Sequence, residues 1–410
     1  MIAPRARNAE YPLLDPEFPK DPYPLLHRMR AEQPVYWYAP LSTWMVTRYD
    51  DVASVLRDPV RFSSRRADRL LAGQLPEGTP ADFRGAIAHV MSLAAMFADP
   101  PYHTFLRSEA NKGFSQRAMA AVTPKIQKLT NELLDKVEGR GTMDGFRDFL
   151  QPFAITVICD VMGVPREDVQ LFLDWTFKTT LLLGGSKLTL EQAHASMRAF
   201  EELNAHLVKL LRERIASPRE DMMSFLVAGV DLTQFPIEAV AGLCAELIGG
   251  ANAPTGDALG NALLACLANP EEVARAQKDP GLWPGAVHEL LRYDGPVVFW
   301  SRLASEDTTI GGQSIRAGDM VYVSLAAANR DPEIFSDPDR LDFTRVNAPK
   351  HLAFSLGPHY CVGAGLARIE MAIAFETLFR RMPRLRLAGP ISWREGTLST
   401  RGPQSIPLAF

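Results

Sequence analysis

The run FSLGPHYCVGAGLARIE, from Phe354 to Glu370, sets one cysteine, Cys361, between Gly357 and Gly363 and just ahead of an amphipathic stretch. A thiol at the start of a helix is drawn toward the thiolate, because the positive end of the helix and its unpaired N–H groups favour charged sulfur. The thiolate is the form that attacks electrophiles or ligates a metal. Glycines beside it let the backbone come close to something flat and large. Taken alone, the same residues also describe a buried cysteine at a strand-to-helix turn. The other cysteines, Cys159, Cys244 and Cys266, are scattered with no C-x-x-C pair, which fits a reducing compartment and neither a disulfide framework nor a zinc knuckle.

Other groups have chemically useful spacing. In DPPYHTFLR, His103 and Arg107 stand four apart and share one helical face; in HELLRYDGPV, Glu289 and Arg292 stand one turn apart and can pair. A solvated face and a surface ion pair would read the same way. The segment IGGANAPTGD, Ile248 to Asp257, sets three glycines and a proline inside an otherwise apolar helical stretch. By helix propensity that insert carries a penalty of roughly 6 kcal/mol.

The spacing Phe354-x-x-Gly357-x-His359-x-Cys361-x-Gly363 resembles the haem-thiolate loop of the cytochrome P450 family, and the other groups follow in that family's order over nearly the whole chain. The resemblance implies a mainly α fold with a small β region, a single domain over residues 1–410, and Cys361 as axial ligand of a haem b iron. It implies that His103, Arg107, Arg302 (in FWSRLASED) and His359 hold the two haem propionates, with Phe354, Gly357 and Gly363 shaping the loop. Converging cationic donors are what two carboxylates require. Glu289 and Arg292 would form a structural network with an arginine of the irregular run DPDRLDF, Arg340. A thiolate ligand pushes electron density onto iron and favours O–O cleavage. The implied activity is therefore a monooxygenase inserting one oxygen atom from O2 into a small to medium apolar or aromatic molecule, by hydroxylation or O-demethylation. Electrons would come from a separate ferredoxin and ferredoxin reductase. The alternatives are oxidative coupling or rearrangement of a secondary metabolite, peroxide-driven turnover, and a haem-binding sensor without turnover.

Two positions depart from the family pattern. Ser355 stands where the loop usually has glycine, which is tolerated if its φ is negative. The distal helix usually carries an acid and then a threonine that relay protons; aligned through GNALLACL, those positions are Ala253 and Pro254, whose side chains carry no proton. Proline removes an N–H and clashes with the carbonyl of Gly250, so the helix is expected to open there. Thr255 would then turn toward the groove, or bond back to its own helix; Asn252 and Asp257 are lesser candidates. Gly249 and Gly250 would allow close approach to the porphyrin. A proline at this position resembles two minority groups, aromatic O-demethylases with Glu-Pro and fatty-acid peroxygenases with Arg-Pro. Ala253 lacks that arginine, which disfavours fatty-acid peroxygenation.

By the same positional carry-over, the substrate would meet Met91, Phe97, Leu181, Leu182, Leu183, Leu247, Ala251, Val297, Val298, Phe299, Trp300 and Leu398. The set is apolar, as expected for an apolar ligand, and the leucines fit a plain core equally well. Arg65, Arg66 and Arg69 read as solvated unless they meet an anionic substrate. On the cysteine side, Lys112, Lys350, His351 and Arg368 would form a basic patch for an acidic ferredoxin.

The elements that must position these groups are mostly helical. QRAMAAVTPKIQKLTNELLDKVEG, FLQPFAITVICDVMGV and MRAFEELNAHLVKLLRERIAS repeat apolar residues at three- and four-residue intervals. PVYWYAP, TWMVTRY and TTIGGQSIRAGDMVYVSL read as strands, the last with a Gly-Gly hairpin turn. Val240 to Leu267 is apolar, yet Glu246, Asn252, Pro254 and Asp257 interrupt it, so it reads as a buried helix rather than a membrane span. With 410 residues, 47% hydrophobic, and no linker or repeat, the chain can build one large core. Lys+Arg 44 against Asp+Glu 48, a net charge of -4, argues against a nucleic-acid surface. The opening MIAPRARNAEYPLLDPEF has no apolar h-region, so a cytoplasmic monomer without signal peptide or membrane anchor is expected.

Overall fold

The computed structural model describes residues 11–183, 187–233, 235–395 and 398–410, without the side chains of Gln116, Arg117 and Leu183. The substrate contact expected of Leu183 therefore lies outside the described residues. The organising element is the helix Ile237–Ala268, against which the helices Gln151–Met162, Val169–Thr180, Leu190–Ala216 and Trp283–Asp294 pack. Gln151–Met162 is apolar nearly all round and buries Phe153, Ile155, Ile158 and Met162, ending on Gly163 in the left-handed region at φ 85°. Leu190–Ala216 starts in a capping box between Thr189 and Gln192, which satisfies two N–H groups that a helix start leaves open. The cysteine-side helix Ala364–Arg381 packs against Gln116–Glu138.

The strand-like tracts form a five-stranded sheet in the order Val35–Tyr38, Thr43–Val46, Met320–Ser324, Phe299–Ala304, Phe62–Ser63. Alternation along the strands divides the side chains. Tyr36, Met45, Tyr322 and Phe299 enter one apolar cluster, while Trp44, Val46, Val321 and Val323 enter another that also holds Leu56 and Leu352. The Gly-Gly turn is present between Thr308–Ile310 and Gln313–Ile315, with Gly311 and Gly312 at φ 53° and 79°.

The sequence predicts an opening at Pro254, and the fold overrides it: Ile237–Ala268 runs 32 residues as one helix with the proline inside. Losing one N–H at Pro254 deprives only the Gly250 carbonyl of its helical partner, whereas the buried packing on several sides keeps the helix continuous. A last hairpin, Ser392–Trp393 with Pro403–Ser405, is pinned to this helix and to the first described residues. Arg394 makes two hydrogen bonds to Asp257, at 2.9 and 2.8 Å. Arg401 grips Asp294 at 2.5 Å and the carbonyls of Pro19 and Lys20 at 2.6 and 2.9 Å. Among the described residues, no helix is long and apolar enough to cross a membrane.

Candidate active site

The cysteine loop is held by its own backbone. Cys361 N–H donates to the Phe354 carbonyl at 2.9 Å, and Tyr360 N–H to that of Gly357 at 3.1 Å. Gly357 is required twice over: its φ is 69°, and a Cβ there would stand 2.6 Å from the Leu56 carbonyl oxygen. Gly363, at φ -83°, is under no such demand. Ser355 corrects an expectation, since it adopts φ 62°, the left-handed region, and its buried Oγ has no partner among the described residues. Burial pushes the Cys361 thiol up, against the Gly363 N–H, Arg107, Arg368 and the Ala364 N–H, which pull it down. The helix start alone thus does not make a thiolate; a coordinating metal ion deprotonates a thiol outright. Beside the sulfur lies a cavity of about 370 Å³ lined by Arg107, Asn111, Pro358, Tyr360, Val362 and Arg368.

His103 and Arg107 from the helix Tyr102–Gly113, Arg302 from the sheet and His359 from the loop come together as expected. The rings of His103 and His359 lie 4.0 Å apart, and Arg107 donates to the Tyr360 carbonyl. Both ring nitrogens of His103, Nε of Arg107 and Nη2 of Arg302 are buried without a hydrogen-bond partner among the described residues. Buried polar groups are almost always satisfied, so the one N–H of a neutral His103, with Nε of Arg107 and Nη2 of Arg302 close by, marks a place for a group that supplies acceptors. Burial, with neighbouring cations, lowers His103 to about 4 and His359 to about 2, and Arg302 to about 9. Two carboxylates beside a large flat ring system fit this donor set.

Glu289 and Arg292 are fully buried and joined by two hydrogen bonds of 2.7 Å. The third member is Arg345, not Arg340: Arg345 Nε reaches Glu289 Oε1 at 3.0 Å. Arg340 is exposed and contributes its carbonyl, which accepts from Arg292 and Arg345 at 3.2 and 3.0 Å.

On the central helix, Glu246, Gly249, Gly250, Ala253 and Pro254 are half-buried or exposed and fall at helical spacing, while most neighbours are buried and Ala251, also half-buried, lies off that line. A Cβ built on Gly249 or Gly250 meets nothing within 4 Å. This stripe carries one polar side chain, Glu246, which the sequence reading passed over as an interruption. Its carboxylate accepts from the N–H groups of Ala95 and Met96 at 2.6 and 2.9 Å, and so fixes the segment leading to Phe97. Thr255 is buried, about 100° round the helix from Pro254. Asn252 donates to Thr176 Oγ1 at 2.8 Å and Asp257 is taken by Arg394, so both are structural.

Met91, Phe97, Leu182, Val298, Phe299 and Leu398 share one apolar cluster, with Leu181 packed at its edge. Leu247 and Ala251 belong to the helical core; Val297, just before the strand, and Trp300, which alternates with Phe299 in it, pack against the other apolar cluster. Arg65 and Arg69 are exposed as expected, but Arg66 is 2% exposed. In the basic patch, Lys350 is exposed and Lys112 pairs with Glu109 at 2.6 Å. His351 leaves the patch: it is buried, bonded to His288 at 3.3 Å, and lowered to about 3 by burial and by His288, hence neutral.

A helix-rich chain with a small sheet, a cysteine loop and orphaned donors gathered at it has the make-up of a haem-thiolate oxidoreductase. The cytochrome P450 family profile matches residues 282–383. The chain is 34% identical, over 96% of its length and 97% of the relative's, to the biotin biosynthesis cytochrome P450 of Bacillus subtilis (strain 168). It is 36% identical to the nocardicin C N-oxygenase of Nocardia uniformis subsp. tsuyamanensis, over 99% and 100% of the two chains. The solved structure of the bacillaene polyketide synthase cytochrome P450 PksS of Bacillus subtilis 168 superposes with a TM-score of 0.86 at 30% identity, covering 98% of this chain and 99% of that one. The chain belongs to the cytochrome P450 family. It is accordingly a monooxygenase-type oxidoreductase, with relatives in bacterial biosynthetic tailoring, and the family implies a haem cofactor.

Proposed function

We propose that residues 1–410 act as one domain that holds haem b through Cys361 and oxidises a small to medium apolar or aromatic molecule, with electrons from a separate ferredoxin. The observation that carries this reading is the set of four unpartnered buried nitrogens on His103, Arg107 and Arg302 beside the cysteine loop. Cys361 Sγ would ligate the iron, and those donors with His359 would hold the propionates. When bound, the haem supplies activation of dioxygen. The chain does the rest: Gly249 and Gly250 leave room on the open helix face, and Met91, Phe97, Leu182, Val298 and Leu398 give the substrate an apolar wall. Lys350 and Arg368, with Lys112 beside Glu109, offer a basic face to the electron donor.

The open stripe favours a second reading of the chemistry at the same site. Ala253 and Pro254 hold no proton and Thr255 lies off the stripe, so proton delivery rests on water at the freed Gly250 carbonyl. Slow delivery favours coupling or rearrangement of the substrate, or use of peroxide, over oxygen insertion. The test begins with the reduced carbon-monoxide spectrum. The purified chain is expected to show the red-shifted thiolate band and Cys361→Ser to lose it; a wild-type chain without the band, or a Ser variant that keeps it, ends the assignment. Peroxide released per electron then separates the chemistries: high leakage supports the second, and tight coupling to hydroxylated product the first.

A further inference from the structure

Arg66 sits in the tract FSSRR, which follows the short edge strand Phe62–Ser63. Asp99 fixes that tract, accepting from the Ser64 N–H at 2.8 Å and from the Ser63 hydroxyl. Ser64 Oγ bonds His359 Nε2 at 2.9 Å, so the tract is tied to the cysteine loop. Within this frame the Arg66 guanidinium is held rigidly. Nε donates to Ser301 Oγ at 2.7 Å, and Nη1 to the carbonyls of Ser64 and Met96 at 2.9 and 2.8 Å. Its carbon lies 4.7 Å from the ring centre of Phe97 and 5.3 Å from that of Trp300. Every acceptor is neutral, and among the described residues Arg66 forms no ion pair; Asp99 turns to Arg65, at 3.9 Å. Nη2 alone makes no hydrogen bond to the described residues, yet it is not sealed off like the orphaned nitrogens nearby.

A 2% exposed cation with three N–H groups fixed and one amino group presented is a built anion site, since burying an unpaired charge is strongly unfavourable. A planar guanidinium matches a carboxylate in particular. We infer that Arg66 Nη2 binds a carboxylate, drawn either from a haem propionate beside His359 or from an acid group on the substrate. The first source rests on the haem reading above; the second adds an acidic end to the apolar substrate proposed there.

The experiment uses the full haem-loaded chain and Arg66→Gln. The wild-type carbon-monoxide spectrum is recorded first; a missing thiolate band sinks the haem reading by itself. Two readouts follow: the rate of transfer to excess apomyoglobin of haem and of its dimethyl ester, and the spin-state titration with tetradecanoate and tetradecan-1-ol. If the propionate is the ligand, the variant loses haem about tenfold faster, while the ester, which lacks the carboxylates, leaves both proteins equally fast. If the substrate is, wild type prefers the acid to the alcohol about tenfold and the variant loses that preference. A folded variant unchanged in both, or one that sheds haem and ester alike with acid preference intact, overturns the assignment. Arg66→Met carries the same readouts should the Gln variant not fold, with the same outcomes deciding.

Discussion

On the cysteine side, Gly357 and Ser355 at positive φ, and the sealed network of Glu289, Arg292 and Arg345, fix the chain through backbone angles and polar contacts. On the opposite side, the helix Ile237–Ala268 presents Gly249, Gly250, Ala253 and Pro254, with almost no side chain to hold anything. One side grips by what its residues do; the other is shaped by what they leave out. The grip tolerates little change, because each buried charge there depends on another. The bare helix face can change its residues at less cost to the fold.

That contrast can be broken in four ways, from the largest expected effect downward. Glu289→Ala strands two buried guanidiniums and is expected to cost about 3–5 kcal/mol, read as a lower urea midpoint; Arg340→Ala, which keeps its carbonyl, should stay within about 0.5 kcal/mol. Equal losses would restore Arg340 to the network. His351 is next. Its pKa is lowered to about 3 in the fold from the ordinary 6.5. Between those values the unfolded chain binds the extra proton, so stability is full above 6.5 and falls as pH drops, by about 1.4 kcal/mol per unit. His351→Gln should lessen that slope in denaturant titrations at pH 6.5 and 4.5, with His103 and His359 keeping the remainder, and a variant as acid-sensitive as wild type would clear His351 of the effect.

The bare side is tested by Ala253→Glu with Pro254→Thr. Returning an N–H to the Gly250 carbonyl should raise stability by about 1–3 kcal/mol, and peroxide release per electron should fall. Unchanged leakage would make the missing acid and alcohol immaterial. Smallest is Ser355→Gly, which relieves a left-handed serine and removes an orphaned hydroxyl; a gain of about 1 kcal/mol, seen as a higher Tm, is expected. A loss would mean that the hydroxyl has a use.

Spacing made the cysteine loop legible, because a glycine at positive φ and a cysteine four residues on are fixed by local backbone geometry. The helices and the Gly-Gly hairpin were legible for the same reason. Arg345 was not, since it shares with Arg340 an irregular run where no period says which guanidinium folds back; turns around Asp337, at φ 46°, decide it. Arg66 was missed because an arginine among arginines reads as solvent-facing, while its burial comes from Met96, Phe97, Trp300 and Ser301, far away in sequence. The unbroken helix at Pro254 was misjudged for the opposite reason: local propensity spoke clearly, and tertiary packing outweighed it.

Arg401 touches the carbonyls of Pro19 and Lys20 across 382 and 381 residues of chain. During synthesis the segment around Pro19 leaves the ribosome long before its anchor exists, and Asp294 waits for the same guanidinium. The segment therefore lacks this anchor, and is more open to proteases and chaperones, until Arg401 has been made. Ribosome-stalled chains that end short of Arg401 are the forms in which this segment is most readily cut.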